Sequence, residues 1–482
     1  MSPDSPADTA RDPDRADPSW ARKAARAHAR IEAMLDLDRG VVPEQLRTTS
    51  FTTQRKEPLE VERYVSRQWH DLEVDKVWKR VWQVACREEE IPEQGDSVIY
   101  EIASMSLIVV RTQSGAIRAF HNTCLHRGRR LLDKSTCVSA LRCQFHGFTW
   151  SLDGELISVP SRWDFDDAEL CRMALPEAKV STWEGWVFIA MDEDAPPLTE
   201  YLGGFIDHWK PWPMSARRIS RHIVKHLKCN WKVALDAFIE SYHVIATHPQ
   251  LLFNLDDVNT QYDIYPGEDH FNRMITLQGV SSPHLGEPIG EHEILASLLN
   301  SDGQPAIAEG RRAREVLADI VRRDYSRTAQ REIDVSDSEA IDAIQYYVFP
   351  NFVPWGGLSP IVYRFRPLGD RPDRSVMDVY LMAPRPEGQP IAKPGSPDVL
   401  DFDDAFSSLP NFGRLGLIFD QDMANLGEVQ RGLLGSVRPN LVLAGYQESR
   451  IRHYMTTMDK YFGFHPSETA PEASCTNSRR TE

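Results

Sequence analysis

Apolar residues change their spacing several times along this chain. Residues 19–36 (Ser-Trp-Ala-Arg-Lys-Ala-Ala-Arg…) repeat at helical spacing and predict a helix that packs on the body or on a neighbouring subunit. Residues 62–83 predict a second helical stretch, with Trp69, Val77, Trp78 and Trp82 on its apolar face. From Asp96 to Met191 the pattern turns to short β-like runs: Ser97–Glu101, Ser106–Arg111, Ala116–His121, Thr149–Ser151 and Gly185–Ala190. Turn residues between them predict a small antiparallel β domain. Farther on, Tyr346–Phe352, Ile361–Pro367 and Met377–Ala383 read as strands of one antiparallel sheet. Residues 286–340 are charged and helix-prone and predict a cover near a pocket entrance, while 418–432 predicts a helix. The basic run Arg217–Lys228 is broken by apolar residues and predicts a strand with a solvated face. The fold class is therefore α+β: a small antiparallel β domain, then a larger domain with an antiparallel sheet covered by helices. The expected division is an N-terminal extension over 1–44, a helical segment over 45–83, the β domain over 84–195, the larger domain over 196–465 and a tail over 466–482. Residues 1–18, rich in Pro, Asp and Arg, and the tail are expected to be disordered.

Chemistry enters with four residues in the β region. Cys124-Leu-His126-Arg-Gly128 and Cys143-Gln-Phe-His146-Gly147 stand with sixteen residues between His126 and Cys143. Two thiolates and two imidazoles can hold a Rieske-type [2Fe–2S] cluster, with the Cys pair on one iron and the His pair on the other. The same donor types can hold structural zinc. Zinc fingers, however, use a Cys pair followed by a separate His pair, whereas each arm here supplies one Cys and one His.

A second constellation follows about a hundred residues later. Asn230-Trp231-Lys232 leads into Glu240, His243, His248 and Pro249. Two His and a carboxylate form the facial triad of non-haem Fe(II) sites. On a helix Glu240 and His243 would share one face. His248 lies too far round for the same face, so the helix should end or bend there, as Pro249 also implies. The third ligand would come from Asp420, Asp422 or Glu428 on the helix near 418–432, although a solvated acidic face has the same composition. Phe238, Ile239, Tyr346, Tyr347, Phe349, Phe352, Trp355 and Phe412 are candidate pocket walls, with core packing as the plainer explanation for most.

Taken together, these motifs resemble the large (α) subunit of the Rieske non-haem iron oxygenases, the aromatic ring-hydroxylating oxygenase family. The likeness runs over about residues 45–465: the Cys/His arms, Asn-Trp-Lys, E-x-x-H-x4-H, Gln421-Asp422, and Glu428-x-Gln430-Arg431-Gly432. The resemblance implies a [2Fe–2S] cluster on Cys124, His126, Cys143 and His146, and a mononuclear Fe(II) on His243, His248 and Asp422. It makes Glu240 the carboxylate that bridges to a Rieske His across a subunit boundary. It implies O2 as co-substrate, a small-molecule substrate, a homo-oligomer (trimer) and in some members a small β subunit. Ring-dihydroxylating members usually carry Asp where Glu240 stands, and Glu is found in choline- and carnitine-type relatives. An Asn often found before the bridge is replaced here by Asp236-Ala237. Ring hydroxylation is thus the leading expectation, with monooxygenation or oxidative demethylation as the alternative.

Composition narrows the setting. A net charge of −16 over 482 residues argues against nucleic acid as a partner. Cys86, Cys137, Cys171, Cys229 and Cys475 read as lone thiols, which suits a reducing cytoplasm. No apolar run approaches the roughly 18 residues of a membrane span, and the N-terminus lacks a signal core. No G-x-G-x-x-G follows a strand and no plant-type ferredoxin cysteine run is present, so NAD(P)H electrons are expected through a separate reductase, with or without a ferredoxin. A Rieske electron carrier is the rival reading, but a carrier needs only one small domain. A zinc-stabilised binding protein is a third.

Overall fold

The structure is a computed structural model. It describes residues 18–464 apart from 53–56, 302, 304, 387, 390 and 391. The expectations for residues 1–17, for the tail and for Cys475 lie outside the described residues.

Two large sheets build the molecule. The first runs in the order Gln83–Arg87, Trp186–Ala190, Glu177–Trp183, Ile117–His121, Met105–Arg111, Asp96–Ile102 and Thr136–Cys137, all antiparallel. A three-stranded sheet, Leu141–Arg142, Thr149–Trp150 and Leu156–Ser158, stands beside it. Between them lies an apolar cluster of Ile108, Val110, Phe120, Leu141, Phe148 and Trp150, with Cys124 and Cys143 at its edge. The second sheet has eight strands in the order Gln261–Asp263, Phe271–Thr276, Ala343–Val348, Phe352–Pro354, Ile361–Pro367, Ser375–Pro384, Arg217–Leu227 and Asp398–Leu400. Every pair is antiparallel except the last, which is parallel. The α+β class and the antiparallel sheets are as the patterning predicts.

Alternation assigns the faces of the second sheet. Tyr363 and Phe365 point to one side, where they meet Phe238. Val362 and Arg364 point to the other, toward the first sheet. There Arg364 is held by Asp378, with Nε 2.9 Å from Oδ2, and donates to the carbonyl oxygens of Val84 and Ala85. A buried charge is tolerable only when paired and bonded in this way. Phe352 packs against Trp186 and Phe188, so one core runs through both sheets.

Four expectations need correction. The stretch 62–83 is not one helix: Glu62–Val65, Arg67–Glu73 and a π-turn Val74–Trp78 follow one another, because Ser66 caps the second piece through Gln68 N–H. Trp82 lies beyond them, and its indole donates to Pro196 O at 2.7 Å. Tyr346–Phe352 is two strands, Ala343–Val348 and Phe352–Pro354, since Pro350 has no N–H for a ladder. The strand Arg217–Leu227 is present, but its basic residues are not all solvated. Arg217 and Lys225 are buried, and Lys225 Nζ donates to the backbone oxygens of Asp401 and Asp404, each at 2.6 Å. Finally, Glu240 and His243 do not share a helix, because the helix Trp231–Phe238 ends first. The helices Glu291–Leu299, Ala313–Ala329 and Asp337–Ile341 fill the 286–340 stretch. The strands Gln83–Arg87 and Glu177–Trp183 were not among the expected runs; the first is buried throughout and carries no alternation.

Candidate functional site

The cysteine arms form two matching hairpin turns. Gly128 N–H donates to Cys124 O and Gly147 N–H to Cys143 O, at 2.9 and 3.0 Å. Both glycines have φ of 80°, a conformation that a side chain disfavours. The Cys124 and Cys143 thiols lie in contact and are buried. Burial pushes the Cys124 thiol up. At Cys143 burial is outweighed by the Phe145 amide, Cys124 and the His146 amide, so this thiol sits below its ordinary value. Amides of His126 and Arg127 are directed likewise at Cys124. The His126 and His146 rings stand 4.7 Å apart, and His126 stacks on Phe148 at 4.6 Å. His126 Nδ1 is buried without a hydrogen-bond partner, a lone pair that needs an acceptor such as iron. Two sulfurs bathed in amide donors and two rings on one side fit a [2Fe–2S] cluster with mixed ligation. Cys137, also between the arms in sequence, is exposed and turned toward Gln94 O.

The second constellation starts from a capped helix. Asn230 Oδ1 accepts from Lys232 N–H at 3.0 Å and opens the helix Trp231–Phe238. Trp231 Nε1 donates to Glu73 Oε2 at 2.9 Å, and Lys232 pairs with the same buried carboxylate. Asn-Trp-Lys thus anchors the helix on the segment before the first sheet. Asp236, half-buried, accepts from the hydroxyls of Tyr64 (2.7 Å) and Tyr454. Burial raises its carboxyl to about 7 against the pull of the two phenols.

Past the helix end the chain folds back. Glu240 Oε2 accepts from His243 N–H at 3.1 Å, and Oε1 lies 2.6 Å from His243 Nδ1. The carboxylate therefore ties down His243, the residue before the short helix Val244–Thr247, by both its amide and its ring. Burial would lower the His243 imidazole, but Glu240 and Asp422 raise it above the ordinary value. The short helix stops at Thr247, and His248 turns out of it before Pro249. His248 Nδ1 lies 2.9 Å from Gln421 Oε1, which Gln250 also holds, at 2.7 Å. These partners turn both Nε2 atoms toward Asp422, on the long helix Gly413–Leu434. His248 Nε2 is 2.8 Å and His243 Nε2 3.6 Å from Asp422 Oδ1. The donor atoms of the three lie within 4.8 Å of one another.

The other two acids go elsewhere. Asp420 accepts from Phe406 N–H and Ser407 N–H, at 2.7 and 3.1 Å, and Glu428 pairs with Arg431 in the open. Gln430 Oε1 instead accepts from Asn230 N–H. Of the expected pocket walls, Phe238 and Phe412 join Tyr363, Phe365, Phe406 and Phe419 in an aromatic cluster. Trp355 borders it edge-on to Tyr363. Tyr347 packs on Tyr454 instead. Tyr346, Phe349 and Phe352 point to other neighbours and are core. Gln421 enters the sequence reading only as part of the Gln421-Asp422 motif, and its bond to His248 appears only in the structure. The cluster members Tyr363, Phe365, Phe406 and Phe419 were not singled out by the sequence.

Comparison with known proteins agrees with this geometry. The ring hydroxylating alpha subunit (catalytic domain) family matches residues 214–463, and the Rieske [2Fe-2S] domain family matches residues 81–168. The chain belongs to the ring-hydroxylating oxygenase α-subunit family. That family joins a Rieske [2Fe–2S] domain to a non-haem iron catalytic domain, and this α subunit carries both. It is 29% identical over 201 residues to the glycine betaine monooxygenase oxygenase subunit of Pseudomonas aeruginosa, a match covering 40% of this chain and 46% of that one. It is 32% identical over 190 residues to the large oxygenase component of the naphthalene 1,2-dioxygenase system of Pseudomonas putida, covering 37% and 42%. The chain thus spans about half the length of the curated relatives it matches. Among solved structures, a quaternary ammonium Rieske monooxygenase superposes with a TM-score of 0.61 at 17% identity, over 84% of this chain and 95% of that one. Naphthalene 1,2-dioxygenase from Rhodococcus sp. gives 0.54 at 18%, over 92% and 98%. At these identities the likeness is one of fold. Among the described residues, no helix is long and apolar enough to cross a membrane.

Proposed function

We propose that this chain is the terminal oxygenase of a Rieske system, inserting O2-derived oxygen into a small organic substrate. The observation that carries this is the convergence of His243, His248 and Asp422 beneath an aromatic wall, with Glu240 behind His243. Cys124, His126, Cys143 and His146 would hold the [2Fe–2S] cluster, and the three convergent residues the Fe(II). The cluster supplies one-electron transfer, and the iron supplies O2 activation.

The chain's own residues do the rest. Glu240 and Gln421 accept the Nδ1 protons of the two ligand histidines, which leaves each Nε2 lone pair for the metal. Asp422 would bring one negative charge to the metal, and three protein donors would leave room for O2. Phe238, Tyr363 and Phe419 exclude water and hold an apolar or cationic group against the iron side.

Glu240 would also accept a hydrogen bond from a Rieske histidine of a neighbouring copy. Exposed apolar residues on both sides support such docking: Phe145 and Trp163 near the cluster, 54% and 85% exposed, and Tyr242 and Ile245 beside His243. Head-to-tail contacts of this kind close into a ring when the rotation between copies allows it, and the proposed ring is a trimer. Electrons would come from NAD(P)H through a separate reductase or ferredoxin, in the cytoplasm.

For the substrate, the aromatic wall supports ring hydroxylation in aromatic compound catabolism. A second reading is hydroxylation beside a quaternary nitrogen, with demethylation. It is favoured by the Glu at position 240 and by relatives named for glycine betaine and carnitine. Oxygen uptake with a reconstituted electron chain, over a panel of arenes and quaternary ammonium compounds, tests both. Two added oxygens mark ring dihydroxylation, and aldehyde release marks demethylation. No uptake with any substrate, from a protein with full iron, refutes the oxygenase reading.

A further inference from the structure

Away from the oxygenase machinery, the helix Arg67–Glu73 faces the turn between the strands Ile361–Pro367 and Ser375–Pro384. His70, Asp71 and Asp370 meet there, and each offers one donor atom within 4.8 Å of the others. His70 is the floor. Its side chain is 1% exposed, and its Nε2 is buried without a hydrogen-bond partner. The two carboxylates form a rim open to solvent.

His70 Nε2 stands 3.7 Å from Asp370 Oδ1. That is too long for a hydrogen bond. It is the spacing of two donors that share one ion at bonds of about 2.1 Å. The corresponding separation in the iron triad, His243 Nε2 to Asp422 Oδ1, is 3.6 Å. Burial lowers the His70 imidazole, against the opposing charge of Glu73.

From this geometry we propose that His70, Asp71 and Asp370 form a second metal site, taking a divalent ion of the zinc class with water completing its shell. Arg67 competes for the same carboxylates. Its Nε donates to Asp71 Oδ1 at 2.8 Å, and its Nη2 to Asp370 Oδ2 at 2.7 Å. The oxygen that faces His70, Asp370 Oδ1, is not the one Arg67 takes. Arg67 is itself 55% exposed, and exposed ion pairs are weakly held, so an ion with three protein donors displaces or tilts it. Occupancy would pin this helix to the catalytic sheet. The same helix carries Glu73, which anchors Trp231 and Lys232 at the head of the helix leading to Glu240.

The test uses full-length, iron-loaded protein equilibrated with Zn2+, with zinc and iron counted in the same samples. Wild type should take up about one more Zn2+ per chain than His70→Asn or Asp370→Asn, at unchanged iron. Arg67→Gln should bind that Zn2+ roughly tenfold more tightly, because a competing cation is gone. Zinc-edge absorption should show only nitrogen and oxygen neighbours. Equal zinc in wild type and Asp370→Asn overturns the proposal, and so does a sulfur neighbour or weaker binding by Arg67→Gln. Asp370 is exposed, so its variant decides even where His70→Asn fails to fold.

Discussion

His248 and Asp422 lie 174 residues apart in the chain, yet His248 Nε2 stands 2.8 Å from Asp422 Oδ1. Asp420, two residues away on the same helix, points to the backbone of Phe406 and Ser407 instead. Two acids on neighbouring faces of one helix thus take different work. One completes a donor set and the other caps a turn.

Replacement of His243, His248 or Asp422 by Ala should therefore lower iron by about one per chain and leave the visible spectrum of the cluster intact. Asp420→Ala should keep its iron and lose about 1 kcal/mol of stability, as lost caps do. Metal analysis beside chemical denaturation separates the two. Iron loss in the Asp420 variant alone would move the ligand by two positions.

For the cluster, Cys124→Ser or Cys143→Ser should abolish the visible absorption of a [2Fe–2S] centre. Cys137→Ser should keep it, since that thiol faces outward. His126→Cys should retain a cluster at lower potential, because a thiolate adds negative charge. Redox titration reads the shift, and an unchanged or raised potential would contradict mixed Cys/His ligation.

Glu240 offers a test of the link between the two sites. Glu240→Gln keeps the shape but loses the charge-assisted bond to His243. Iron and cluster should both remain, while cluster reoxidation on mixing with substrate and O2 slows roughly 10- to 100-fold. Stopped-flow absorbance follows it. Reoxidation at the wild-type rate would remove Glu240 from the electron path.

Asp236 should set a pH dependence of stability. Its carboxyl lies at about 7 when folded, against an ordinary value of 3.8. Between these values the folded state holds a proton that the unfolded chain has lost, so stability falls as pH rises from about 4 to 7. The loss amounts to about 4 kcal/mol at most. Asp236→Asn has no such proton to lose, so its stability relative to wild type should rise from pH 5 to pH 8. Denaturation midpoints at the two values decide, and a constant difference would show that Asp236 does not titrate there.

Local rules made much of this protein legible. The Cys/His arms, the glycines after them and the break before Pro249 follow from donor chemistry and backbone sterics, both written in a few adjacent residues. The helix around Asp422 and the strand Ile361–Pro367 follow from apolar spacing. Contacts over long sequence separations were not legible. Whether Asp420 or Asp422 faces His248 depends on how the helix Gly413–Leu434 is rotated against the loop after Phe238. Packing of Phe419 on Phe238 and Tyr363, together with the bonds of Asp420 and Gln430, sets that rotation. That Tyr363 and Phe365 meet Phe238, while Tyr346 and Phe352 pack on other neighbours, depends on which face of the sheet the helix Trp231–Phe238 covers. In Ile361–Pro367 apolar and polar positions alternate, but Arg364 is buried against Asp378 rather than solvated, so the alternation does not tell which layer covers which face. The burial of Lys225 among backbone carbonyls was equally invisible. A charged side chain enters a core only where distant main-chain oxygens are brought to meet it, and tertiary folding alone brings them there.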